Sequence, residues 1–104
     1  MRNKPSVPYE YVMNKYLKDP KWAAGYLSES IKQGDWDAFL IALRRVADVR
    51  GGGLSKVARS AKLSREHLYR MLSKHGNPGM KNVMAILQAL GYKIELKPDL
   101  KKAA

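Results

Sequence analysis

Apolar residues recur at helical spacing along most of the chain, and glycine, proline and capping acids mark the places where that rhythm breaks. Tyr9, Val12, Met13, Tyr16 and Leu17 fall at i, i+3, i+4, i+7 and i+8, one face of a first helix. Asp19 and Pro20 interrupt it, the aspartate as N-cap and the proline in the first turn of a second helix. This helix runs to about residue 32 with Ala23, Tyr26, Leu27, Ser30 and Ile31 inward. Gly34 ends it and Asp35 caps a third, whose stripe of Trp36, Phe39, Leu40, Leu43 and Ala47 is widened by Ala38, Ala42, Val46 and Val49. A stripe that wide predicts a central, mostly buried helix. Gly51, Gly52 and Gly53 close it and let the chain turn.

Residues 54–74 read as two short helices joined by a tight turn. Val57, Ala58 and Ala61 form one inward stripe, and Leu68, Met71 and Leu72 the other, while Leu63 plugs the angle and Ser64 caps the second helix. Lys62 stands where such a turn usually carries glycine, and a lysine adopts the left-handed conformation only at a cost. A turn over His75, Gly76, Asn77, Pro78 and Gly79 leads to a last helix with Met80, Val83, Met84, Leu87 and Leu90 inward, ended by Gly91. Tyr92, Ile94 and Leu96 then alternate with Lys93, Glu95 and Lys97, the period of a strand with one buried face, ended by Pro98. A lone strand leaves its backbone unpaired, so it is expected to pair with its copy in a second subunit, giving a homodimer, or with a strand from a partner. The pattern predicts an all-α fold: a five-helix bundle containing a helix-turn-helix of the lambda-repressor-like kind, with a short C-terminal β-strand. Residues 1–7 are expected to be disordered, residues 8–98 to form a single helix-turn-helix DNA-binding domain, and residues 99–104 to be a frayed tail.

Charge turns this pattern toward function. The net charge is +11, of which residues 54–104 carry +8 and residues 54–74 alone +5. In that segment Lys56, Arg59, Lys62, Arg65, Arg70 and Lys74 face one acid, Glu66, and such a field attracts a polyanion. An ordinary solvated surface or a plain helical hairpin produces part of the same pattern. In a helix-turn-helix the second helix enters the major groove, which turns Ser64, Arg65, Glu66, Tyr69 and Arg70 toward DNA. Arg65 suits a bidentate contact to guanine, and Glu66 either accepts from a cytosine amino group or ties down a nearby arginine. Ser55, Lys56, Arg59 and Tyr69 suit phosphates, which set register without reading sequence.

The remaining chemistry is sparse. With no cysteine there are no disulfides or thiolate zinc sites, and His67 and His75 come without an acidic cluster. No catalytic residue, metal site or cofactor is expected, and the chain is read as a non-enzyme. The run GGGLSK lacks the spacing of a phosphate-binding loop, and the exposed aromatic sheet or GXXG loop of single-stranded RNA readers is missing. No apolar run approaches the roughly 20 residues needed to span a bilayer, and no apolar leader is visible, so a cytoplasmic location without membrane contact is the expectation.

Read together, YLSESIKQGDWDAFLIALRRVADVRGG, LSKVARSAKLSREHLYRMLSKHGNP and MAILQALGYKIELKP resemble the addiction-module antidote proteins of bacteria, small helix-turn-helix antitoxins of type II toxin–antitoxin modules. The resemblance covers roughly residues 9–98. It implies an antidote that neutralises a RelE/ParE-type toxin and represses their shared promoter, with a double-stranded DNA operator and a cognate toxin as partners. A free-standing repressor without a toxin would carry the same DNA-reading motif. Gly79 stands where the family usually places Ser or Thr, so the cap of the last helix is expected to be weaker. Five of the nine aromatic residues lie between residues 9 and 26, a crowding that serves either core packing or a partner. Chiefly on the resemblance, Tyr9, Tyr11, Tyr16 and Trp22 are the candidate toxin-binding residues.

Overall fold

In the computed structural model, residues 9–73 and 75–102 are described, so Lys74, the residues expected to be disordered at the N-terminus and the last two of the tail lie outside them. Asp19 starts the second helix by accepting from the Lys21 and Trp22 amides at 2.9 and 3.4 Å, and Asp35 starts the third by accepting from Ala38 at 3.0 Å. The described residues form six helices: α1 (Tyr9–Leu17), α2 (Pro20–Lys32), α3 (Trp36–Arg50), α4 (Leu54–Ala61), α5 (Arg65–Met71) and α6 (Gly79–Ala89). The count is six and not five: the two short helices expected over residues 54–74 form as separate elements, parted by the non-helical turn at residues 62–64, and with the other four they make six. A second correction concerns the C-terminus. Residues 92–99 are irregular and no β-strand forms among the described residues, since a single chain offers this segment no second strand to pair with.

The core lies around α3, which packs on α1, α2 and α4, while α4 in turn packs on α5 and α6. Leu17, Leu40, Leu43, Val46, Leu68, Leu72 and Ile86 are completely buried. The wide stripe of α3 does predict the central helix. Several individual residues depart from prediction. On α1 only Met13 and Leu17 are buried, with Tyr9, Val12 and Tyr16 exposed, because the helix touches the bundle along one narrow edge. Ile31, Trp36, Met80 and Met84 are also exposed, whereas Ile86, absent from the predicted stripe, is buried. The inward stripe of α6 is Val83, Ile86, Leu87 and Leu90, which leaves both methionines on an adjacent face.

The α4–α5 connection has a specific local cause. Lys62 is left-handed (φ +62°), Leu63 N–H donates to Ala58 O at 2.8 Å, and Lys62 N–H donates to Arg59 O at 3.2 Å. This pair of bonds is the Schellman termination, made here without glycine. Ser64 Oγ then accepts from His67 N–H at 3.0 Å and opens α5. The left-handed lysine costs about 1–2 kcal/mol, partly offset because glycine would loosen the unfolded chain by about 0.4–1 kcal/mol. Lys62→Gly should therefore stabilise the fold by about 0.5–1 kcal/mol, seen as a higher denaturant midpoint with an unchanged slope. The cap of α6 is indeed poor: no side chain bonds to its first amides, and Gly79 has φ +74°.

Candidate functional site

The outward side of the α4–α5 pair is open and cationic. Ser55, Lys56 and Arg59 on α4 and Arg65, Glu66 and Arg70 on α5 are all exposed. The Lys56 stem lies along Gly52: a Cβ added there would sit 3.0 Å from Lys56 Cδ, so the glycine leaves room for this side chain. Among the described residues, the close contacts between a basic and an acidic side chain are His75 Nδ1 with Asp37 Oδ2 at 2.9 Å and Lys93 Nζ with Glu95 Oε2 at 3.5 Å. Within the described residues, then, no carboxylate is paired with Lys56, Arg59, Arg65 or Arg70. Glu66 is likewise unpaired with any described arginine. The Ser64 hydroxyl oxygen already accepts an amide, so this residue shapes the start of α5 whatever else it touches.

Tyr69 differs from its neighbours. It is half-buried against the core, and the guanidinium carbons of Arg44 and Arg65 lie over its ring, 4.7 and 5.4 Å from the centroid. Such stacking is worth about 0.5–1 kcal/mol at a partly exposed site and restricts where the Arg65 fork can point. Arg44 belongs to α3 and is not marked by the sequence pattern, because only the tertiary fold, with α4 packed on both α3 and α5, brings it against Tyr69. It lines a recess of about 310 Å³ with Glu10, Arg45, Asp48 and Tyr69.

The aromatic residues of α1 and α2 form a second surface. Tyr9, Tyr11, Tyr16 and Trp22 are 64%, 66%, 53% and 38% exposed. Tyr16, Trp22 and Tyr26 stack in succession with centroids 5.1 and 5.7 Å apart, whereas Tyr9 sits under the Arg45 guanidinium at 5.5 Å. Burial raises the Tyr26 phenol above its ordinary pKa, against the opposing pull of Arg45. Tyr26 therefore remains neutral. The recess that holds Arg44 and Tyr69 also contains Glu10, so the first turn of α1 reaches the basic face although the two are distant in sequence.

Elsewhere, no three His, Asp or Glu side chains converge among the described residues, and no helix is long and apolar enough to cross a membrane. Arg50 Nη1 donates to Lys18 O at 2.8 Å, placing a cation at the C-terminal end of α1.

Comparison with known proteins gives a family. Residues 9–98 match the family model described as "probable addiction module antidote protein". An uncharacterized protein of Haemophilus influenzae is 36% identical over 72 residues, covering 69% of this chain and 72% of that protein. No solved structure matches the chain significantly. With the family model spanning nearly the whole chain, this protein belongs to the addiction-module antidote family.

Proposed function

We propose that this antitoxin-family protein binds duplex DNA through α4 and α5 used as a helix-turn-helix, represses its own operon, and neutralises a RelE/ParE-type toxin in the cytoplasm without catalysing a reaction. The family assignment supports the antitoxin role and implies a toxin partner. The observation that carries the DNA reading is the pair of exposed helices joined by a tight turn, with Arg65 unpaired by any described carboxylate and braced by Tyr69. In this arrangement α5 lies in the major groove and Arg65 addresses a base edge, while Lys56 and Arg59 on α4 meet phosphates.

The two roles separate experimentally. Arg65→Ala should lose roughly 1–3 kcal/mol on the specific operator and much less on random duplex. Lys56→Ala should weaken both DNAs alike and flatten the salt dependence by about one unit of slope. Titrations of both variants on both duplexes at several salt concentrations decide it, and identical losses throughout would remove the assignment.

Toxin docking is placed on the exposed aromatics of α1 and α2, since large rigid side chains supply most interface hot spots. Tyr11 is the cleanest probe, being 66% exposed and outside the three-ring stack. Tyr11→Ala should leave the melting temperature and operator affinity nearly unchanged while weakening toxin binding by about 1–2 kcal/mol or more. Calorimetry with purified toxin measures this, and full toxin affinity in the folded variant would move the docking surface elsewhere.

A further inference from the structure

After α6 the chain leaves the bundle with its backbone unpaired. Gly91 turns it at φ +89°, Tyr92 N–H donates to Leu87 O at 2.9 Å, and the Tyr92 hydroxyl donates to Pro20 O at 2.8 Å. Beyond that anchor, residues 93–98 make no backbone hydrogen bond to any described residue. The sequence nevertheless alternates between polar and apolar residues there. Lys93 Nζ lies 3.5 Å from Glu95 Oε2, as residues two apart on one side of an extended chain do, and Ile94 and Leu96 line an apolar groove of about 420 Å³ that Glu95 also borders. Phe39, Val83 and Leu87 also line this groove, along with the exposed Ile31, Trp36 and Met80. Leu96 is 95% exposed, which leaves the outer end of the groove uncovered.

We infer that this face seats a second copy of the same chain, joined by antiparallel pairing of residues 92–96 about a two-fold axis through Ile94. The charge pattern selects that register. A pairing that keeps the apolar side common to both strands must centre on a residue, and centring on Glu95 would set Lys93 against Lys97 and Glu95 against its own copy. Centring on Lys93 opposes two lysines, and centring on Leu96 places Pro98, which has no N–H, opposite Ile94 within the ladder. Centring on Ile94 sets Lys93 against Glu95 twice, Ile94 against Ile94, and Tyr92 against Leu96. The unpaired backbone then finds its partner, and the Ile94 and Leu96 side chains of the second copy join the apolar walls. The segment is irregular in one chain and becomes a strand in two. This inference stands apart from the DNA reading, and its test uses no DNA.

The chain has no cysteine, so a single introduced thiol reports geometry without background. In the proposed register the Cα atoms of the two Ile94 residues lie about 4.5–5.5 Å apart, within disulfide reach. The two Leu96 residues are offset by about 13 Å along the strands, out of reach. Under mild oxidation the full-length Ile94→Cys variant should form a disulfide-linked dimer rapidly, and Leu96→Cys, at the more exposed position, should not. Sedimentation gives a second reading that leaves the apolar face intact. Glu95→Lys should raise the dimer Kd by roughly tenfold, because two opposite-charge pairs become like-charge pairs, and adding Lys93→Glu should restore it. A wild-type chain that stays monomeric at every concentration overturns the proposal. So do equal crosslinking at the two positions and failure of the double reversal to restore the dimer.

Discussion

Leu68→Ala is expected to destabilise the protein by about 2–5 kcal/mol, since it empties a fully enclosed leucine site at the meeting of α5 with the core. For a chain of this size each kcal/mol moves the melting temperature by about 4–8 °C, so the loss is readily visible in a thermal scan. The reason for expecting more than a global effect lies in the length of α5. Seven residues form no stable helix in water, where about 12–15 are marginal, so α5 exists because Leu68, Met71 and Leu72 hold it down. Truncating Leu68 should therefore loosen the face that carries Arg65 before the rest unfolds. Leu17→Ala, an equally buried leucine on α1, supplies the comparison. Both variants should melt early, yet at temperatures where both are folded only Leu68→Ala should lose operator affinity and show fast amide exchange in α5. Equal operator affinity for the two would mean that α5 is not held through Leu68.

Gly51→Ala is expected to cost at least the top of the roughly 1–3 kcal/mol range typical of overpacking. The position has an ordinary helical φ of −83°, so the requirement is for space and not for left-handed backbone. A Cβ there would overlap Val57 Cγ2, stand 2.6 Å from Ala47 O and reach 3.0 Å from Leu90 Cδ2. The carbonyl belongs to the last turn of α3 and cannot move without breaking the bond it accepts from Gly51 N–H at 3.0 Å. Relief must come from pushing α4 and α6 away from α3. Urea titration should show the midpoint of Gly51→Ala falling steeply, while Gly25→Ala, in open space within α2, should be neutral to stabilising, by up to about 1 kcal/mol. Similar midpoints for the two variants would show that the three helices have slack at this point.

The sequence by itself determines where helices begin and end, because capping and turning are settled by neighbours within a few residues. Asp19, Asp35 and Ser64 accept the amides their positions foretell, and Gly91 takes the positive φ that ends α6. It also determines the deepest core, Leu40, Leu43, Val57 and Leu68, since residues at the middle of a wide apolar stripe are covered whatever the exact angle of the neighbouring helix. At the edges of each stripe that logic stops. Ile31, Trp36 and Met80 carry apolar side chains at helical spacing and still lie on the surface, because burial there depends on whether another element happens to cover them. Instead they line a groove that only the meeting of α2, α3, α6 and the C-terminal segment creates. Arg44 against Tyr69, and Glu10 beside the basic face, are likewise consequences of α1 packing on α3 and of α4 packing on both α3 and α5, contacts between residues far apart in the chain. Alternation in residues 92–97 was legible too, yet a strand is completed by its partner's hydrogen bonds, and these a single chain cannot supply.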